Sequence, residues 1–298
     1  MNSPKNYTEF SFDKFPSELL PKRKERSCKG DFGRVLCICG SSGMAGAAYL
    51  CAKACYRTGA GLVEIFTHES NRIILQTSLP EAIVSTYTDE PDTSALLCSL
   101  EKADAVVVGC GLGITPTSRK LLSTLLRAID TEKTPLVLDA DALNLISRNP
   151  SLSKYMKGAV ITPHFAEASR LLRCDVESLM LSPEKAANEL ADRFGAIAVM
   201  KDHSTIVSDG GERAYRNKGG NSGMATGGSG DVLAGIIGGI LAESARSSVP
   251  LSRLDAASLG VYIHSLAGDI SAERLGEYSL MASDIIDALP LVLRGVNL

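Results

Sequence analysis

Tryptophan is absent from the 298 residues, and aromatic side chains make up only 5% of them. So sparse a set offers no stacking platform for single-stranded nucleic acid. No Cys-x-x-Cys pair occurs and the four histidines are well separated, which speaks against a zinc site. Charge of neither sign dominates: 31 basic and 34 acidic residues leave a net charge of −3. That balance gives no reason to expect nucleic acid or an anionic membrane as a partner. Long hydrophobic runs are lacking too. The longest, Val232 to Ala242, contains three glycines and is too short to span a bilayer. The first thirty residues are polar, carry the basic cluster Lys22-Arg-Lys-Glu-Arg26, and lack the apolar core of a signal peptide. The expectation is a cytoplasmic protein with residues 1–27 as a solvated leader and a single domain over residues 28–298.

What is present is ordinary for a globular enzyme: 45% apolar and 22% charged residues. The length suits one large α/β domain or two small ones. Eight cysteines, at 28, 37, 39, 51, 55, 98, 110 and 174, sit mostly in apolar runs such as Val35-Leu-Cys-Ile-Cys39. They read as buried, reduced thiols. Short runs that are apolar without alternation predict strands covered on both faces. They fall at Arg34–Cys39, Leu62–Thr67, Ala105–Val108, Leu136–Leu138, Val160–Thr162, Ala196–Met200 and Thr205–Val207. Helical patterns lie between them, at Ala45–Gly59, Pro116–Ile129, Ala140–Ser147, Glu167–Arg173 and Pro183–Phe194. A polar hairpin over Glu212–Asn217 leads into a glycine-rich loop and three helices, Asp231–Ala245, Leu254–Glu273 and Ser283–Leu293. The order argues for one doubly wound α/β domain.

The densest chemical signal is Asn221-Ser-Gly-Met-Ala-Thr-Gly-Gly-Ser-Gly-Asp-Val-Leu-Ala-Gly235. Five glycines in thirteen residues precede an apolar helix. Glycine permits backbone conformations in which several N–H groups face one point. Added to a helix N-terminal dipole, such donors make an anion site suited to phosphate. Asp231 stands where that helix begins. It either caps the helix or takes a proton from a substrate hydroxyl attacking the phosphate. Thr226, Ser229 and the glycines tilt the reading toward phosphate chemistry.

Other turns carry candidates of their own. Gly40-Ser-Ser-Gly-Met-Ala-Gly-Ala47 lacks the lysine of a P-loop and the spacing of a dinucleotide fingerprint. It serves either close approach to a ligand or tight helix–sheet packing. Gly109-Cys-Gly-Leu-Gly113 follows a strand, where open α/β sheets bind ligands. In Leu138-Asp-Ala-Asp-Ala-Leu-Asn144, Asp139 and Asp141 suit Mg²⁺ through water, although Asp141 reads more simply as a helix cap. In Thr162-Pro-His-Phe-Ala-Glu167, His164 contacts a polar ligand or stays solvated, and Glu167 reaches a metal or favours the helix N-terminus. Lys201-Asp-His-Ser-Thr205 offers a cation and two hydroxyls, or is an ordinary polar hairpin.

Taken in order, these six segments resemble the ribokinase-like superfamily. Within it they are most similar to the ADP/ATP-dependent NAD(P)H-hydrate dehydratases, over about residues 28 to 295. The resemblance implies an α/β fold with a central, mostly parallel sheet and helices on both faces. It implies ADP-dependent repair of the S-form of hydrated NADH and NADPH: a nucleotide phosphorylates the hydroxyl on the reduced nicotinamide ring, and phosphate then leaves as the double bond returns. Bacterial members typically use ADP, giving AMP and phosphate; eukaryotic ones typically use ATP. On the same resemblance, Asp231 is the base and touches the substrate together with Ala47, Gly113 and His164. Lys201, Asp202, His203, Ser204 and Thr205, with Gly228, Ser229 and Gly230, bind the nucleotide. Asn144 and Glu167 arrange Mg²⁺ and its waters. Two positions depart from the family's frequent pattern: Gly-Cys-Gly replaces Gly-Pro-Gly, and Lys201-Asp202 replaces Lys-Gly. The resemblance further implies a homo-oligomer, often a tetramer, and an epimerase on a separate protein, since residues 1–30 are too short for one. The competing readings are a ribokinase-like kinase for a sugar or vitamin alcohol, which leaves a stable phosphorylated product, and a nucleotide sensor, which needs no base.

Overall fold

The computed structural model describes residues 8–294 apart from positions 15, 24 and 212. Its strands are β1 Thr8–Phe10, β2 Arg34–Ile38, β3 Leu62–His68, β4 Ile83–Tyr87, β5 Ala105–Val108, β6 Leu136–Leu138, β7 Val160–Ile161, β8 Ile197–Met200, β9 Ile206–Ser208 and β10 Arg213–Arg216. Helices α1 Pro16–Leu19, α2 Ala45–Arg57, α3 Arg72–Ser78, α4 Thr93–Leu100, α5 Pro116–Ala128 and α6 Asp141–Arg148 belong to the first half. Helices α7 Phe165–Leu172, α8 Val176–Met180, α9 Pro183–Phe194, α10 Ser229–Ala245, α11 Arg253–Leu275 and α12 Ala282–Arg294 complete the chain.

The strands form one sheet in the order β1-β10-β9-β8-β7-β6-β5-β2-β3-β4. From β8 to β4 every pairing is parallel, and β9 runs antiparallel to both β8 and β10. Because side chains alternate across a strand, the continuous apolar runs supply two cores. Val35, Cys37, Val63, Ile65, Val107 and Val137 face α2, α10, α11 and α12. Leu36, Ile38, Phe66, Val106, Val108 and Leu136 face α4, α5, α6, α7 and α9. Each such aliphatic side chain taken from water contributes roughly 1.5–3 kcal/mol, which is why no alternation with polar residues is seen.

Helix α10 is the central packing element on the first face. Its glycines let it approach closer than any side chain would permit. A Cβ on Gly235 would lie 2.2 Å from the Cys51 carbonyl oxygen, and one on Gly238 would lie 2.3 Å from Val107 Cγ2. The three glycines in the apolar stretch therefore serve the contact with α2 and the sheet.

The described residues between 8 and 27 do not stand apart as a solvated leader. β1 pairs in parallel with β10. Phe10 and Phe12 pack on Tyr215, with ring centroids 5.5 and 5.3 Å away, and Phe12 stacks on Tyr262 at 5.4 Å. Arg23 pairs with the buried Glu243 and donates to the Gly59 carbonyl. Phe10 and Phe12, together with Leu19 and Leu20, tie it to the core, a signal that bulk polarity conceals. The hairpin expected over Glu212–Asn217 is the strand β10 paired with β9; Glu212 itself lies outside the described residues. Strand β4 and helices α3, α4 and α8 were not expected. β4 is an edge strand with Ile83 exposed and Val84, Ser85 and Thr86 half-buried, so its pattern is too polar to stand out.

Candidate active site

In a parallel sheet with helices on both faces, the turns after the strands gather at one edge. Here they are tied to one another by backbone hydrogen bonds. Gly40 and Ser41 N–H donate to the carbonyls of Cys110 and Gly111 at 2.9 and 2.6 Å. Asp139 N–H donates to Val108 O at 3.1 Å, and Thr162 N–H to Leu138 O at 3.1 Å. Lys201 N–H donates to Pro163 O at 2.9 Å. The segments after β2, β5, β6, β7 and β8, far apart in the chain, thus form one rigid rim. Gly109 is required in it: with φ at +126°, a Cβ would sit 1.8 Å from the Asp139 carbonyl oxygen. Ala140 is strained, with φ at 46° and ψ at −113°. Such a backbone costs on the order of 1–3 kcal/mol. The strained turn sends the flanking carboxylates to different partners.

Asp139, buried at the end of β6, is the hub. Its Oδ1 accepts from Thr162 Oγ1 at 2.6 Å and from Lys201 Nζ at 2.8 Å. Its Oδ2 lies 3.7 Å from Cys110 Sγ. Burial works to lower the Lys201 pKa, but Asp139 and Glu167 outweigh it and raise it. Lys201 is therefore a fixed cation. Its Nζ lies 3.4 Å from the place a Cβ on Gly230 would occupy, directly beneath the first turn of α10.

Asp231 stands in that first turn, three residues past the N-cap position. The N-cap is Gly228, with φ at 93°, where a Cβ would meet Leu50 Cδ1 at 2.4 Å. The Asp231 carboxylate approaches Asp139 and Cys110, ligand atoms of all three lying within 4.8 Å of one another. Burial, then the Asp139 charge, push its pKa up to about 7, while Cys110 and Lys201 pull the other way. A carboxylate poised there exchanges protons readily near neutral pH. Of the two readings of Asp231 left open by the loop, capping is removed. The amides of the turn are less uniform than expected: Ser229 N–H donates weakly to Thr226 O at 3.3 Å. The first N–H groups of an α-helix have no partner within it, so Gly230 N–H remains an anion donor.

Sequence reasoning missed His264. It is buried on α11, 3.3 Å from Ser229 Oγ through Nε2. Burial depresses its pKa to about 4, so it is neutral and props the glycine loop. A histidine within an apolar helix was the available signal. Cys110 and Thr162 stood inside quoted motifs without a role, because their partners come from other strands.

The remaining candidates divide. Ala47 is buried beneath Gly111, whose Cβ would lie 2.8 Å from that of Ala47, so it sets the floor of the turn. Gly113 N–H donates to Asp141 Oδ2 at 2.8 Å. Asp141 thus clamps the neighbouring turn instead of capping its own helix, which opens at Ala140 without a side-chain cap. His164 caps α7, its Nδ1 accepting from Ala166 N–H at 3.1 Å, and Glu167 Oε2 accepts from His164 N–H at 3.0 Å. Half of the His164 side chain is exposed at the rim. Ser204 Oγ donates to Asn217 O at 2.9 Å and Thr205 Oγ1 to Asp202 O at 3.1 Å. Both hydroxyls brace the β8–β9 turn. Asp202 pairs with His203 at 3.0 Å, and His203 is 88% exposed. Asn144 Oδ1 accepts from Arg170 Nη1 at 2.9 Å, and a carbonyl already facing a guanidinium is a poor cation ligand. Glu167 and Asp231 fit Mg²⁺ better, as hard oxygens acting through water.

The family model for NAD(P)H-hydrate dehydratase matches residues 35–291. The chain belongs to this family. A bifunctional NAD(P)H-hydrate repair enzyme from Vibrio cholerae is 39% identical over 276 residues, covering 93% of this chain and 52% of that protein. The chain spans about half the length of the first curated relatives it matches. An ADP-dependent (S)-NAD(P)H-hydrate dehydratase from Neisseria meningitidis is 38% identical over 282 residues, covering 92% of this chain and 89% of that one. The solved structure of an ADP/ATP-dependent NAD(P)H-hydrate dehydratase from Bacillus subtilis, co-crystallized with ATP and Mg²⁺, aligns with a TM-score of 0.76 and 27% identity. That alignment covers 94% of this chain and 95% of the other. The fold of this dehydratase-family chain is ribokinase-like. No helix among the described residues is long and apolar enough to cross a membrane.

Proposed function

We propose that this chain dehydrates the S-form of hydrated NADH and NADPH, consuming ADP and releasing AMP and phosphate. The observation that carries the reading is Asp231, with a pKa near 7, set in the first turn of a glycine-preceded helix above a fixed lysine. Asp231 takes the proton of the substrate hydroxyl as that oxygen attacks the β-phosphorus of ADP. AMP leaves; the ring nitrogen's electron pair then expels inorganic phosphate from the new ester, and loss of a proton from the adjacent ring carbon to solvent restores the double bond. Hydroxide is a poor leaving group and phosphate a good one, which is why a nucleotide is consumed. Lys201 and the Gly230 N–H offset charge on the transferring group. His164, Ala47 and the Gly109–Gly113 turn shape the side of the rim where the dinucleotide lies.

Mg²⁺ supplies charge neutralisation on the nucleotide phosphates when bound. Glu167 and Asp231 are the residues that orient its waters, and Asn144 is not, because Arg170 holds its oxygen. Lys201 to Thr205 border the nucleotide, chiefly through backbone groups and the Lys201 amine. The working protein is taken to be a cytoplasmic homo-oligomer, and light scattering would test its assembly.

Incubation with hydrated NADH, Mg²⁺ and either ADP or ATP, followed by absorbance of the restored dihydronicotinamide, tests the function. Restoration with ADP, with AMP and phosphate in equal amounts, is expected. No restoration with either nucleotide, or a stable phosphorylated product by mass, overturns it.

A further inference from the structure

Beneath the catalytic rim lies a nest of thiols that the proposed reaction does not use. Cys37, Cys39, Cys51, Cys55 and Cys110 are free and completely buried. They come from β2 and its end, from α2, and from the turn after β5. Cys37 Sγ lies 3.8 Å from Cys55 Sγ and 3.9 Å from Cys51 Sγ. The sulfurs of Cys39, Cys51 and Cys110 lie within 4.8 Å of one another. Thiolates bound to one d¹⁰ ion at about 2.3 Å stand roughly 3.8–4.0 Å apart. The nest is therefore spaced within about an ångström of what such an ion requires.

Packing alone would explain touching thiols deep in a core. It does not explain why the nest opens on the site. Cys110 Sγ lies 3.7 Å from Asp139 Oδ2, and Cys110, Asp139 and Asp231 form their own three-ligand group. Asp231 is only half-buried. A cation arriving at the rim meets the Asp231 carboxylate first, then Asp139 and Cys110, then Cys39 and Cys51.

We infer that Cys39, Cys51 and Cys110 form a binding site for a thiophilic d¹⁰ cation (Zn²⁺, Cd²⁺ or Cu(I)) in the floor of the active site. Sulfur selects such ions over Mg²⁺, which prefers oxygen. Binding forms metal–sulfur bonds and releases the thiol protons to solvent; nothing is oxidised or reduced. The ion draws Cys110 away from Asp139 and Asp231, and its three thiolates leave extra negative charge under both carboxylates, where neutral thiols stood. Thiophilic metal therefore stops turnover, whatever substrate the site takes. No local motif announces the site, because its ligands belong to three segments.

The test uses the full chain with Cys28, Cys98 and Cys174 replaced by serine, so that no exposed thiol competes. Cd²⁺ is titrated in the presence of excess Mg²⁺ while the ultraviolet thiolate-to-cadmium band is followed. The expected result is a band saturating at one molar equivalent, with proton release. Cys110→Ala should weaken binding by on the order of 100-fold, and Cys37→Ala should leave the band in place. Melting curves establish that each variant is folded; if Cys51→Ala is not, Cys110→Ala, in a turn, decides. A folded protein with no band at one equivalent overturns the inference. So does a Cys110→Ala protein that binds Cd²⁺ as tightly as the parent, or a band that vanishes in Cys37→Ala.

Discussion

Asp139 and Asp231 face one another across Cys110, each at the start of a helix, yet their surroundings set them to opposite tasks. Asp139 is sealed in, with Thr162 and Lys201 on one oxygen. Those two donors hold its position, with the Lys201 ammonium 2.8 Å away. Asp231 has no cation in contact, is only half-buried, and sits in the field of Asp139. Its proton affinity rises until it titrates near neutrality. One aspartate is held by a lysine and a threonine; the other has its proton affinity raised, first by burial and then by the charge of its neighbour.

The largest expected effect comes from removing the acceptor. Asp231→Asn should lower kcat by about 10²–10⁴-fold while ADP affinity, measured by calorimetry, changes little. Unchanged turnover would erase the distinction between the two carboxylates. Removing the fixed charge should act on the fold. Asp139→Asn strands Lys201, whose side chain is 19% exposed, and should cost about 2–4 kcal/mol in urea unfolding. In whatever folded enzyme remains, the midpoint of the pH–rate profile should fall, since the Asp139 charge no longer opposes ionisation of Asp231. A midpoint that stays near 7 would mean that burial alone sets it.

A third effect has the opposite sign. The Asp231 pKa is raised in the folded state, from an ordinary 3.8 to about 7. The folded protein thus holds the proton more tightly than the unfolded chain. That contribution is full below about pH 3.8 and is lost as pH rises through 7. Asp231→Asn escapes the loss. It should be more stable than the parent by on the order of 2–4 kcal/mol at pH 8, with the gain vanishing in acid. For the parent enzyme, log kcat/KM should climb with unit slope up to about pH 7 and then level off. The smallest effect belongs to His203→Ala. An 88% exposed side chain should change stability by less than about 0.5 kcal/mol, a baseline for the others.

Much of this arrangement was legible in the chain. Continuous apolar runs marked the inner parallel strands, because strands buried on both faces cannot alternate with polar residues. The glycines from Gly223 to Gly235 marked a helix that opens from a glycine-rich turn, and Gly109 and Gly228 indeed occupy backbone conformations closed to other residues. The β4 edge strand and the Thr8–Phe10 strand escaped notice. An edge strand is half-solvated and reads as loop, and β1 is recognised only through the distant rings of Tyr215 and Tyr262. Asp141 was misassigned as a cap because a local rule was applied to a residue whose partner, the Gly113 amide, lies on another turn.

By itself, then, the sequence determined the doubly wound fold class, the phosphate-suited turn and the acid beside it, since propensity, apolar patterning and glycine placement act over a few residues. Tertiary structure alone decided which acid has its proton affinity raised. Asp139, Thr162 and Lys201 are brought together from three strand ends, and the desolvation and charge that lift Asp231 exist only once they meet. It also set the thiols of β2, α2 and the β5 turn within touching distance, beneath that same pair of carboxylates.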